Sequence, residues 1–203
     1  MLFFGVEALV VFGTNLAISF VMMVPTVWNN FKNKRIDLKL GVLFLISGAI
    51  IGPLFGGLLS ESFSQDLLLL IVTILIIISG FLIFQAVHFP SDKTFSNETS
   101  SIKNVVASGL NMGIGALGGS VGMVLGALRY PVMINYLRTD AKSASATNSF
   151  INLVFTIFAL TGHLVASGFT GNSHFDVELF IPLGISGFFG SFIGSKHVGR
   201  YSN

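Results

Sequence analysis

The chain contains no cysteine and very little charge. Without cysteine there is no disulfide framework and no thiolate metal site. Lys, Arg, Asp and Glu make up 10% of the 203 residues, against about 25% in soluble globular domains. So few charges cannot build a water-facing shell, which excludes a large soluble core. The histidines, His88, His163, His174 and His197, are scattered, which argues against a metal cluster. Neither Gly-x-x-x-x-Gly-Lys-Ser/Thr nor His-Glu-x-x-His occurs, so nothing points to nucleotide hydrolysis or a zinc hydrolase. No catalytic residue, cofactor or metal is expected. The N-terminus has no basic stretch and no small-residue cleavage site, and it reads as having no signal peptide.

What is present is apolar sequence, 52% of the chain. It falls into six stretches: about Gly5 to Trp28, Leu40 to Leu59, Leu67 to Val87, Val105 to Leu137, Ala144 to Ala166 and Leu179 to Ile193. A spanning helix needs about 20 apolar residues. The first, second, third and fifth stretches meet that plainly. The sixth is short and Gly-rich but extends at either end. The pattern predicts an all-α integral membrane protein, a polytopic helical bundle.

The fourth stretch is too long. As a straight helix it would measure about 50 Å, against a hydrocarbon core of about 30 Å. It must tilt or break, and Gly113, Gly115, Gly118, Gly119 and Gly122 mark the place. Two legs of roughly 14–17 residues would meet near mid-membrane, each short of a full span. A broken or re-entrant helix is the expectation, since irregular backbone survives in lipid only where protein or a cavity covers it.

Charge supports the re-entrant form. Lys32, Lys34, Arg35 and Lys39 place the loop after the first stretch in the cytoplasm. Ser60 to Asp66 carries Glu61 and Asp66 and no basic residue, so it lies outside. His88 to Lys103, with Lys93 and Lys103, lies inside, as do Arg138 and Lys142. Phe169 to Glu178 has no Lys or Arg and lies outside, and Lys196 and Arg200 return inside. Every loop obeys the positive-inside rule if both ends of the fourth stretch share one side. The basic balance of +2 therefore reports membrane orientation and not nucleic acid. Asn97-Glu98-Thr99 fits a glycosylation site, but a cytoplasmic loop hides it.

The halves resemble each other. Gly13-Thr14-Asn15 matches Ala146-Thr147-Asn148, and Glu7-Ala8 matches Asp140-Ala141. Asn30 falls opposite His163, Asp37 opposite Asp176, and Ile46-Ser47-Gly48 opposite Ile185-Ser186-Gly187. With the orientations above, these are two inverted repeats: 1–88, a polar cytoplasmic linker over 89–103, and 104–203. Inverted repeats place a binding site at their interface. Met1 aligns with about Ile134, so the first repeat reads as lacking its Gly-rich hairpin, as in a truncated permease.

The Gly-rich run Gly113-Ile114-Gly115-Ala116-Leu117-Gly118-Gly119 is followed by Pro131, Ala141, Ala144-Ser145-Ala146-Thr147-Asn148 and Gly162-His163, with Gly13-Thr14-Asn15 as its echo. In this ordered set the chain resembles the sulfite exporter TauE/SafE family, the toluene-sulfonate uptake permease group. The resemblance implies a multi-pass cell-membrane permease for small anions, often sulfur-containing oxyanions or organosulfonates.

Several residues could meet such a solute. Arg129, about seven residues past the Gly-rich run, is a counter-charge for an anion or an arginine snorkelling to headgroups. Gly118, Gly119 and Ser120 offer close backbone approach at a helix break, or pack helices as in the Gly-x-x-x-Gly spacings Gly115–Gly119 and Gly118–Gly122. Thr14, Asn15, Thr147 and Asn148 hold an oxyanion through neutral donors, or bond helix to helix. His163 lies roughly 24 Å up the helix from Thr147. It reads as a structural histidine near the outer surface, with proton coupling as the other use. Glu7 and Asp140 read as caps or interfacial acids. The expected function is alternating-access movement of a small anion across the lipid bilayer, with a homo-oligomer compatible. The alternative is a channel or a non-transporting membrane subunit.

Overall fold

The computed structural model describes residues 6–88 and 101–197. The helices are α1 (Ala8–Lys32), α2 (Leu38–Phe44), α3 (Ile51–Leu59), α4 (Gln65–His88), α5 (Ser101–Ser120), α6 (Gly126–Pro131), α7 (Ala141–Thr170) and α8 (Val177–His197). Among the described residues all regular structure is helical. Four segments are long and apolar enough to cross a membrane: Ala8–Lys32, Gln65–Leu82, Ala141–Thr170 and Val177–Lys196. Residues 89–100, most of the linker read over 89–103 and the whole of Asn97-Glu98-Thr99, lie outside the described residues. Residues 101–103, read as linker, open α5.

α1 and α7 form the centre. Each is 44% buried along its most apolar window, against 11% for α4 and 6% for α8. The last two therefore present apolar faces outward, as a bilayer requires. α1 packs on α7 and α8, while α3 packs on α5 and α7.

The helix starts are written locally. Asp37 caps α2, its Oδ1 accepting from Leu40 N at 3.1 Å, and Asp176 does the same for α8 from Leu179 N at 3.0 Å. Asp140 Oδ1 accepts from the backbone N–H of Lys142 at 3.1 Å and Ser143 at 3.0 Å. Burial alone would raise the Asp140 carboxyl, but these bonds and the charge of Lys142 hold it below its usual range. Glu7 holds the equivalent position ahead of α1 and makes no side-chain cap bond. α7 ends at Gly171, whose φ of 78° is the left-handed conformation of a helix C-terminus.

The second apolar stretch departs from the expectation of a plain span. It is α2, a π-helical turn at Leu45–Ala49, and α3. Two features break it. Pro53 lacks the N–H that would close onto Ala49, and so suits only the first turn of a new helix. Asn111 of α5 draws on the Phe44 carbonyl with its Nδ2 at 2.6 Å.

The fourth stretch breaks, at the last glycine of its run. α5 runs through to Ser120, and Val121–Leu125 separates it from α6, which continues as a π-helical turn over Val132–Tyr136. The turn centres on Gly122, with φ +59° and its Cα face against the backbone of Phe12. The glycines before it stay helical because they seat α5 on α3. A Cβ on Gly119 would stand 2.5 Å from the Pro53 carbonyl oxygen, and Gly115 meets the Gly48 carbonyl. Packing and breakage are thus divided between successive glycines.

Two substitutions test this division. A Cβ on Gly48 would sit 2.6 Å from the Asn111 and Met112 backbone, which no rotamer change relieves. Gly48→Ala is expected to destabilise by about 1–3 kcal/mol. Gly113 has nothing within 4 Å, so Gly113→Ala should stabilise by about 0.5–1 kcal/mol. Thermal unfolding of both variants in the same detergent is the measurement.

Candidate functional site

Arg129 is the largest fully buried side chain of the described residues, with none of its surface exposed. A guanidinium so enclosed is not snorkelling. Its Nε donates to Asn111 Oδ1 at 2.7 Å, and Nη1 donates to Asn152 Oδ1 at 2.6 Å and Asn148 Oδ1 at 3.2 Å. Nη2 is buried with no hydrogen-bond partner. Among the described residues Arg129 has no carboxylate partner, since the ion pair found is His174 with Glu61.

Three helices assemble this cradle. Asn148 and Asn152 lie four residues apart on α7 and so share a face. Asn111 comes from α5 and Arg129 from α6. The amide nitrogens are tied down in turn. Asn111 Nδ2 donates to Phe44 O at 2.6 Å, and Asn148 Nδ2 to Gly126 O at 3.0 Å. Those bonds leave the amide oxygens facing the cation. Gly126 is needed because a Cβ there would stand 2.5 Å from Asn152 Nδ2.

The cradle neutralises nothing. A cation at bilayer depth costs at least about 2.5–3.5 kcal/mol on insertion scales. Amide dipoles offset part of that, but the charge remains. Chemically, the site is a desolvated positive charge with one N–H group still to be satisfied, which favours an anion.

The other expected site residues are spread around this centre. Asn148 touches Arg129, as above. Asn15 Nδ2 donates to the Gly122 carbonyl at 2.9 Å and so holds the break. Thr14 Oγ1 accepts from Asp176 N and Thr147 Oγ1 accepts from Asp37 N, both at 2.9 Å. The internal alignment, which pairs Thr14 with Thr147 and Asp37 with Asp176, turns one of these bonds into the other. Gly118, Gly119 and Ser120 close α5 at its C-terminal end, where carbonyls and not N–H groups lack helical partners. Met123 N takes the Gly118 carbonyl at 2.9 Å, and Ser120 Oγ donates to Leu117 O at 2.9 Å. The run Gly118-Gly119-Ser120-Val121-Gly122 matches the Gly-x-Ser-x-Gly pattern of hydrolases, but it ends a helix and lacks the strand-to-helix elbow that exposes a nucleophile.

Sequence reasoning missed Asn111 and Asn152. Asn152 carried a usable signal, a second amide one turn beyond Asn148 in an apolar helix. Asn111 carried little, because only the fold sets α5 beside α6. His163, read as a structural histidine toward the outer side, is wholly buried and meets His174 of the loop read as outside, a pairing that the separation of the two in sequence did not suggest.

Replacing Asn152 with Leu leaves one Nη1 N–H of Arg129 unpaired, the other still meeting Asn148, and is expected to cost about 1–3 kcal/mol of stability, read as a lower unfolding temperature than for Asn152→Asp, which restores an acceptor. Searches among curated proteins and among solved structures returned no match. A family profile described as Sulfite exporter TauE/SafE matches residues 1–203. The chain belongs to the sulfite exporter TauE/SafE family, a family of membrane transporters.

Proposed function

We propose that the chain is a multi-pass carrier of the cell membrane that moves a small anion, a sulfur oxyanion or organosulfonate, by alternating access, with Arg129 as the counter-charge. The observation that carries this reading is the unpartnered Nη2 of a fully buried arginine that has no carboxylate among the described residues. A sulfonate or sulfite offers oxygens to Nη2 and neutralises the cradle at once. Asn148 shares the solute contact. Gly118, Gly119, Ser120 and Asn15 shape the break beside it, and Thr14 and Thr147 hold the neighbouring helix starts.

Arg129 has no exposed surface, so solute reaches it only when the surrounding segments move. Three irregular segments lie at hand: the π-turns Leu45–Ala49 and Val132–Tyr136 and the break Val121–Leu125. The inverted-repeat reading, over 1–88 and 104–203, is supported by the matched bonds of Thr14 to Asp176 and Thr147 to Asp37. In that arrangement α5 and α6 form a re-entrant hairpin, and exchange of the halves' conformations opens the cradle to each side in turn.

The test is sulfite flux into proteoliposomes. Wild type should give saturable flux. Arg129→Ala should lower it roughly 10- to 150-fold, the equivalent of losing a charged hydrogen bond of about 1.5–3 kcal/mol. Arg129→Lys should recover only part, since an ammonium cannot reproduce the fork. Thr147→Val should have the smaller effect. Saturable flux that Arg129→Ala leaves intact would overturn the assignment, and flux that never saturates would mean a pore.

A further inference from the structure

A second buried polar cluster lies beyond the arginine cradle, at the other end of α7. His163 of α7 and His174 of the α7–α8 loop are 0% and 1% exposed. His163 Nε2 stands 2.8 Å from the Gly119 carbonyl oxygen. The two Nδ1 atoms face each other at 3.2 Å. His174 Nε2 stands 2.6 Å from Glu61 Oε1. The result is an unbroken chain: Gly119 carbonyl, His163, His174, Glu61.

The geometry counts protons. A carbonyl only accepts, so His163 Nε2 carries a hydrogen. A hydrogen bond between two ring nitrogens needs one hydrogen between them. The contact of His174 Nε2 with a carboxyl oxygen needs a third. Two neutral imidazoles carry only two, so the chain holds one proton beyond two neutral rings and a carboxylate. Ser60 does not supply it. Its hydroxyl donates to Gly57 O at 2.7 Å, and at 3.4 Å from His163 Nδ1 its oxygen can only accept.

We propose that His163, His174 and Glu61 form a proton-binding site, and that loss and recovery of this one proton are coupled to movement of the anion past Arg129. The coupling rests on the carrier reading above; the proton site does not. Glu61 is the entrance, with a side chain 14% exposed. Its carboxylate accepts from Thr170 Oγ1 at 2.5 Å and Asn172 Nδ2 at 3.1 Å. Burial alone would raise the Glu61 carboxyl, but the bonds from Thr170, His174 and Asn172 and the attraction of His174 hold it below its usual value, which suits a site where the proton rests on the imidazoles. Glu61 follows α3 and faces the histidines of α7 and its loop. α5 contributes the neutral Gly119 carbonyl, and α1 contributes Gly13 against the His174 carbonyl.

The link to Arg129 is mechanical. Gly119 lies in the last turn of α5, and its carbonyl also receives Gly122 N at 3.4 Å within the break. α6, which carries Arg129, starts four residues after Gly122. When the extra proton leaves, one contact in the chain becomes lone pair against lone pair and must open. Either His163 releases the break or Glu61 releases His174, and both change how the break is held. A proton bound as the anion enters and lost as it leaves keeps the buried positive charge nearly constant.

Two measurements on the full chain in bilayers test this. In His88→Gln/His197→Gln protein labelled with 15N-histidine, only His163 and His174 remain. Solid-state NMR should count three N–H groups on the acid side of one step and two on the alkaline side. Glu61→Gln should remove the step or move it to lower pH. Two N–H groups from pH 5 to pH 9 would overturn the proton site. Second, methanesulfonate uptake is measured, because that anion does not itself titrate in the range. An imposed pH gradient should drive uptake at least ten-fold in wild type and not in Glu61→Gln or His163→Gln, while both variants keep solute exchange without a gradient. Uptake indifferent to the gradient in wild type would overturn the coupling. If no sulfonate or sulfite moves at all while the NMR step is present, the carrier reading falls and the proton site stands.

Discussion

The structure is organised around one buried charge. Arg129 is enclosed by helices that are otherwise apolar, and a desolvated guanidinium there is tolerable only if polar atoms surround it. That requirement explains residues that would be anomalous on any other ground. Asn148 and Asn152 sit on the inner face of a helix long enough to span a bilayer. Asn111 lies fully buried among apolar residues. Gly126 leaves room for the two α7 amides. Each amide oxygen faces the arginine because each of Asn111 and Asn148 gives its nitrogen to a backbone carbonyl.

The same economy governs the interrupted backbone. In lipid every free carbonyl must find a donor. At Leu117–Leu125 the donors are named: Met123 N for Gly118, His163 for Gly119, Asn15 for Gly122. The π-turn at Leu45–Ala49 is handled alike, with Asn111 on the Phe44 carbonyl. The irregular segments therefore do not float. They are fastened by side chains from other helices, and those side chains connect the arginine cradle to the histidine chain through a single short turn. In the proposed cycle that fastening is what makes two distant chemical events one.

Much of this was legible from particular residues. The asparagine after each threonine and Asp37 opposite Asp176 were visible as an internal echo. Asp140, read as a cap, caps α7, while Asp37 and Asp176 cap α2 and α8 without having been read so. The overlong Gly-rich stretch had to break or tilt, and it breaks. It breaks only at the last of the five glycines named, because glycine has two uses in such helices. Gly115 and Gly119 seat one helix on another, and only Gly122 takes the left-handed turn. The interruption of the second stretch was not foreseen because hydropathy ignores hydrogen bonding, and Pro53 and Asn111 act through hydrogen bonds.

By itself, the sequence determined the class of solvent, the helical character and the family, because these follow from composition, run length and ordered local motifs that need no partner. Tertiary structure alone decided that Arg129 lies on three asparagines from two other helices, and that His163 meets His174 and His174 meets Glu61. The reason is range. Asn111 and the Phe44 carbonyl that orients it, like Glu61 and His174, meet only after helices far apart in the chain have packed through their glycines, and no local pattern encodes which faces those glycines will bring together.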